Sequence, residues 1–270
     1  MIKIKVGIIG CGTIGSQLAR ACLGPLKDRF KLIAICDADA DKARELKKAI
    51  KKGPGILNIE KLIKRCDLVV EAASAKVSGD ILDKCVRSGK DCMIMSVGGI
   101  VGREKLLKSA EARRVKVYIP SGAISGVDGL KSASAGRIDS VTVTTRKPSK
   151  GLEGAPYIKE NSIDLSKISA ETVVFEGTAV EAIRGFPQNV NVSAILSLAG
   201  LGAKKTRVRI ITSPQITKNI HEVEIIGECG KIRTRTENVP SKTNPKTSEL
   251  AVFSAIATLS GITNSVRIGT

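Results

Sequence analysis

One imidazole stands among 270 residues: His221 is the single histidine of the chain. It sits in Asn219-Ile220-His221-Glu222-Val223, at the start of an alternating run that reads as a strand. An isolated strand histidine is ordinarily structural. It is also the residue type whose unperturbed pKa suits proton transfer near neutral pH, and this chain offers no second one. A second chemical feature lies at the other end of the chain, in Gly10-Cys11-Gly12-Thr13-Ile14-Gly15. The apolar run Val6–Ile9 leads into it, and Ile14, Leu18 and Ala21 then share one helical face. A strand, a glycine turn and a helix start in that order form a dinucleotide fingerprint. The first glycine permits the turn, the second lets a pyrophosphate approach, and the third lets helix and strand pack closely. The free N–H groups of the helix start then favour the phosphates. These six residues are the first cofactor candidates.

Asp37 ends the next apolar run, about twenty residues beyond the turn, where an acid hydrogen-bonds an adenosine ribose. It equally suits capping of the following helix. An acid there repels a 2′-phosphate, so NAD is expected, with NADP left open by Lys42 and Arg44 nearby. Ala73 and Ser74 follow the buried run Asp67–Glu71, where a strand end meets the far half of the cofactor. Two stretches offer anchors for anions. Arg146-Lys147 ends a long strand, ordinarily a solvated position. Lys246, Thr247 and Ser248 in Asn244-Pro245-Lys246-Thr247-Ser248 read as a helix start, where capping competes with anion binding. Asn189 precedes another helix and suits either a cap or a nicotinamide contact.

The elements that carry these residues change character midway. Helices are predicted at 40–52, 58–65, 76–88 and 102–114, alternating with strands at 31–36, 67–71, 92–97 and 115–119. That alternation implies a parallel sheet with helices on both faces, whose ligands gather at the carboxyl ends of the strands. Beyond a predicted helix at 123–135, strands at 138–146, 172–177, 205–213, 219–228 and 231–237 alternate apolar with polar, as in an antiparallel sheet with one wet face. Residues 147–163 read as a loop and 178–184 and 189–199 as helices. The last helix, at 247–259, carries Leu250, Phe253, Ile256 and Leu259 on one face. The predicted fold class is α/β: an N-terminal Rossmann-type doubly wound parallel sheet with a second α+β domain built on a mostly antiparallel sheet. The expected domains are 1–120 for the dinucleotide and 121–244 for substrate and dimerisation, with 245–270 returning to the first.

Hydrophobic residues make up 42% of the chain, enough for a sizeable core. No apolar run reaches membrane length and the N-terminus opens on a strand, so no membrane association and a cytoplasmic location are expected. The seven cysteines form no CxxC pair or zinc spacing, which fits free thiols and no metal. Cys11 needs only to be small. The net charge of +18 raises nucleic-acid binding, but aromatics are only 2% and the lysines are dispersed, so no nucleic acid is expected. A positive field that attracts a dinucleotide and a small dicarboxylate is the better reading. Lysine-rich helices with few glutamines favour a thermophilic source.

Several stretches together resemble the L-aspartate dehydrogenases: IIGCGTIG at 8–15, SVGGI at 96–100, PSGAISGVDGL at 120–130, FPQNVNVSAILSLAG at 186–200, NIHEVE at 219–224 and NPKTS at 244–248. The resemblance spans nearly the whole chain in order. It implies oxidation of L-aspartate with NAD or NADP to iminoaspartate, which hydrolyses to oxaloacetate and ammonia or feeds quinolinate on the way to NAD. By motif match it implies that His221 is the active-site histidine and that Ala123 and Asn189 bind cofactor. A near-neutral His221 would then serve in deprotonating the substrate or in activating water. A homodimer joined through the second sheet is expected. Two alternatives stay open on the residues alone. One is a dihydrodipicolinate-reductase-like enzyme, although its HHxxK motif is absent; the other is a non-catalytic NAD(H) sensor.

Overall fold

A computed structural model describes residues 2–51, 53–187, 191–241 and 244–270, apart from the side chains of 245 and 246. Contacts divide the chain into two compact units, Met1–Pro120 with Val252–Ser265, and Ser121–Ala251 with Val266–Thr270.

The first unit follows the predicted alternation. Its elements are β1 (Ile4–Ile9), α1 (Thr13–Leu23), β2 (Phe30–Cys36), α2 (Ala40–Ala49), β3 (Gly55–Ile56), α3 (Ile59–Arg65), β4 (Leu68–Glu71), α4 (Ala75–Arg87), β5 (Asp91–Ile94), α5 (Glu104–Ala112) and β6 (Val117–Tyr118). All six strands run parallel in the order β3-β2-β1-β4-β5-β6. That order is two mononucleotide-binding halves meeting between β1 and β4. Val6–Ile9, Leu32–Cys36 and Leu68–Val70 are apolar runs, as in a parallel sheet covered on both faces. Val6, Ile8, Leu18, Phe30, Ile35, Leu68 and Met93 form the core.

The second unit contains α6 (Val127–Ala133), β7 (Ile138–Lys147), α7 (Pro156–Glu160), β8 (Thr172–Thr178), α8 (Ala179–Gly185), α9 (Asn191–Ala199), β9 (Arg207–Thr212), β10 (Asn219–Gly227), β11 (Gly230–Asn238), β12 (Pro240–Ser241) and β13 (Asn244–Ser248). Five strands form a sheet in the order β11-β10-β7-β9-β8, with β7 and β9 parallel and the other pairs antiparallel. Period-2 patterning decides its two faces. Val143, Val208, Ile210, Val223 and Ile225 are buried on one side, with buried Ala182 of α8 and Ile195 of α9 completing the apolar interior. Tyr157, Phe175 and Phe186 stack with ring centroids 5.1–5.5 Å apart. The other face carries Thr142, Thr144, Glu222, Glu224, Arg233 and Arg235.

Three expectations are corrected. The helix expected at 123–135 spans only Val127–Ala133, because the chain first turns at Gly126 with φ +92°. The loop expected at 147–163 contains α7, started by Pro156. The final helix, α10, is Glu249–Ile262, and the residues before it are strand β13, paired antiparallel with β12. Its buried stripe is Val252, Ala255 and Leu259, spaced three and four apart, and Ala255 and Leu259 join the core of the first unit. Leu250 and Phe253, expected on that stripe, are 36% and 56% exposed.

Candidate functional site

In the glycine turn the first and third glycines have steric reasons and the second does not. Gly10 adopts φ +101°, and a Cβ there would come 2.3 Å from the Ala72 carbonyl oxygen. A Cβ on Gly15 would lie 1.8 Å from the Gly10 oxygen, so only glycine lets α1 sit this close to β1. A Cβ on Gly12 would meet nothing within 4 Å. That position is open for a ligand rather than closed by protein. Gly12 caps α1 with no side-chain bond, and the first turn, Thr13-Ile14-Gly15, carries no acid, which leaves backbone N–H groups for an anion.

Asp37 is tied to this turn. Its Oδ2 accepts the Cys11 N–H at 2.6 Å and its Oδ1 accepts the Asp39 N–H at 2.9 Å. The cap of α2 is Asp39, whose side chain accepts from Asp41 N. Lys42 and Arg44 pair with Asp39 and Asp41 at 3.7 and 2.5 Å, so both nearby cations already face a carboxylate. The Cys11 thiol is pushed up to about 12 by burial and then by the Asp37 and Cys36 charges, so it stays protonated and fills space. The cradle fits a dinucleotide whose ribose hydroxyls meet an acid.

Ala73 and Ser74 lie in the turn between β4 and α4. One residue was overlooked here. Glu71, fully buried at the end of β4, accepts the Ala73 N–H at 2.8 Å, the Ser96 N–H at 2.9 Å and the Ser96 hydroxyl at 2.8 Å. Burial pushes its pKa up while the donors from Ser96, Ala73 and Ser74 oppose that rise. The acid closing the apolar run Leu68–Glu71 was its signal in the sequence.

In the second unit the parity of β7 brings Val141, Val143, Thr145 and Lys147 to one side, and the register sets His221 of β10 opposite Thr145. Thr145 Oγ1 and His221 Nδ1 share a hydrogen bond at 2.9 Å. His221 is only 4% exposed. Its pKa is pushed down to about 3, first by burial and then by the Lys147 charge. This corrects the near-neutral histidine that was expected: the buried imidazole is held in its neutral form. Lys147 shares a recess with Thr145, Phe186, Val192 and Ser193, and burial brings its ammonium down to about 8. Lys147 is therefore no solvated strand end. Arg146 points to the wet face, paired with Glu222 and Glu171.

Ala123 and Ser248 come together through a residue the sequence did not flag. Asn238, 3% exposed, donates from Nδ2 to the Ala123 oxygen at 3.0 Å and accepts the Ser248 hydroxyl on Oδ1. The helix start expected at 246–248 is thus corrected. Thr247 and Ser248 belong to a strand, the Ser248 hydroxyl is engaged, and the first helical N–H, of Glu249, donates to the Val239 oxygen at 3.0 Å. Asn189 and the Lys246 side chain lie outside the described residues. Among the described residues no group of His, Cys, Asp or Glu gathers as a metal site, and no helix is long and apolar enough to cross a membrane.

Comparison with known proteins agrees with both halves of this arrangement. The family model "Aspartate dehydrogenase, C-terminal" matches residues 128–262, and "Homoserine dehydrogenase, NAD binding domain" matches 10–120. The L-aspartate dehydrogenase of Methanosarcina acetivorans is 48% identical, covering 99% of this chain and 100% of that protein. That of Methanococcus maripaludis is 42% identical with the same coverage. The crystal structure of aspartate dehydrogenase from Thermotoga maritima superposes with a TM-score of 0.76 at 28% identity, covering 99% of this chain and 100% of that one. Scyllo-inositol dehydrogenase from Lactobacillus casei, at 15% identity and a TM-score of 0.56, shares the fold alone. Relatedness along the full length, with a dinucleotide cradle in one unit and a buried histidine in the other, means that the chain belongs to the L-aspartate dehydrogenase family.

Proposed function

We propose that this chain oxidises L-aspartate with NAD to iminoaspartate, which water converts to oxaloacetate and ammonia. The observation that carries the chemistry is the Thr145–His221–Lys147 cluster on the buried face of the second sheet. When bound in the Gly10–Gly15 cradle, NAD would supply the acceptor for the Cα hydride. The rest falls to the protein. Lys147 is a cation in an apolar recess, suited to one of the two substrate carboxylates. An arriving carboxylate favours the charged forms of both Lys147 and His221, lifting the imidazole toward proton-accepting range. His221 then takes a proton from the substrate ammonium as Cα–H leaves as hydride and the C=N bond forms; after passing that proton to solvent it accepts another from the water that attacks that bond. Thr145 fixes the ring orientation through Nδ1.

In the first unit, Gly10–Gly15 hold the pyrophosphate and Asp37 the adenosine ribose. The pairing of Lys42 and Arg44 with their own acids supports NAD over NADP. Ala73 and Ser74 add cofactor contacts from this unit; in the second unit Ala123 and Asn189 are the further cofactor-binding residues, and Lys246, Thr247 and Ser248 the candidates for the second carboxylate, on the strength of their sequence motifs. The iminoaspartate supplies quinolinate for NAD synthesis. Seven free thiols, six of them buried, support a reducing cytoplasm. The protein acts as a homodimer joined through the wet face of the second sheet. The test is the appearance of reduced nicotinamide with L-aspartate and NAD, against glutamate, malate and aspartate semialdehyde. Aspartate alone gives turnover. Cofactor binding without turnover on any of them overturns the reading.

A further inference from the structure

We propose that Glu71 is a positioning residue for the nicotinamide half of the cofactor, an inference that rests on the reading of the first unit as an NAD site. In the sheet order β3-β2-β1-β4-β5-β6, Asp37 at the end of β2 marks the adenosine half. The ends of β4 and β5 therefore belong to the other mononucleotide half. Glu71 closes β4 and Ser96 lies just past β5.

A fully buried carboxylate is unfavourable unless donors converge on it. Here they come from two different turns: Ala73 N–H from the one after β4, and both the N–H and the hydroxyl of Ser96 from the one after β5. Each turn is packed against something that fixes it. The first abuts the glycine turn, since the Ala72 oxygen lies 2.3 Å from where a Gly10 Cβ would be. The second is held by Ser78, whose hydroxyl donates to the Ser96 oxygen at 2.8 Å. It also lies so close to α4 that a Gly99 Cβ would come 2.0 Å from the Ala75 oxygen. Glu71 thus cross-links the two turns that rim the second half of the site, while its own side chain has no exposed surface with which to touch a ligand. The group must accept only. Glutamine has nearly the same shape but in either flip would set its NH₂ against a backbone N–H, that of Ala73 or that of Ser96.

The test compares two ligands that differ only in the nicotinamide. NAD and ADP-ribose are titrated calorimetrically into the wild type, Glu71→Gln and Ser96→Ala, with apo melting temperatures measured alongside. The expected result is that Glu71→Gln weakens NAD by about tenfold while ADP-ribose changes much less. Ser96→Ala shifts in the same direction by a smaller factor, and it decides the matter if Glu71→Gln does not fold. Equal weakening of both ligands, as general destabilisation would give, overturns the proposal, and so does unchanged NAD affinity. If the wild type binds neither ligand, the NAD reading itself falls.

Discussion

Burial holds Lys147 below the usual lysine range, and its charge in turn disfavours protonation of His221, which makes substrate binding pH-dependent in a defined direction. Lys147 has its pKa lowered to about 8. Below that value it is an ammonium that attracts a carboxylate; above it the attraction is lost. Succinate, a dicarboxylate with no amine of its own to titrate, isolates this effect. Its inhibition constant against aspartate is expected to be flat at lower pH and to weaken toward tenfold per unit as pH rises past about 8. Lys147→Arg, which stays charged, carries tight inhibition to higher pH. A constant flat through that range rules Lys147 out as the anchor. The strand parity of this residue is itself a signal in the sequence. Arg146 and Lys147 look alike at a strand end, but Lys147 shares the parity of Val143 and Thr145, the buried face, and Arg146 does not. Asn238 gave no such signal, because its partners Ala123 and Ser248 reach it only through tertiary packing.

At the scale of elements, strand, glycine turn and α1 were legible because each glycine answers a local geometric demand. Gly12 and Gly15 answer different demands, and substitution separates them. Gly12→Ala puts a methyl into open space at φ −70°, so the protein should keep its melting temperature while NAD binds at least about tenfold more weakly. Gly15→Ala drives a methyl onto the Gly10 oxygen and should lower the melting temperature as well. Equal melting losses, or unchanged NAD affinity in Gly12→Ala, would contradict the cradle. The end of the chain was less legible. Leu250, Phe253, Ile256 and Leu259 make a plausible helical stripe, yet Val252, Ala255 and Leu259 make another three- and four-spaced one, and only packing selects between them. Residues 244–248 read as a capping turn because Thr and Ser favour caps. Pairing with β12 instead draws them into a strand.

For the whole molecule, the excess of 44 Lys and Arg over 26 Asp and Glu suits anionic ligands, NAD and a dicarboxylate alike. The wet sheet face is a mosaic in which Glu222 pairs with Arg146 and Arg235, and Glu224 with Lys231 and Arg233. Both signs on one flat face suit a two-fold contact with a second copy. Light scattering should give the mass of a dimer for the wild type and of a monomer for Glu222→Arg with Glu224→Arg. A wild-type monomer, or a double variant still dimeric, would remove this face as the interface. In the proposed enzyme cofactor binding resides in one unit and proton transfer in His221 of the other. This arrangement is tested most directly by the rate at which reduced nicotinamide appears from L-aspartate and NAD, measured for the wild type and His221→Ala with NAD affinity titrated beside it. The account predicts turnover by the wild type, a loss of about 10²–10⁴-fold in the variant and unchanged NAD affinity. An equal rate in the two proteins, or no turnover of aspartate by the wild type, would contradict it.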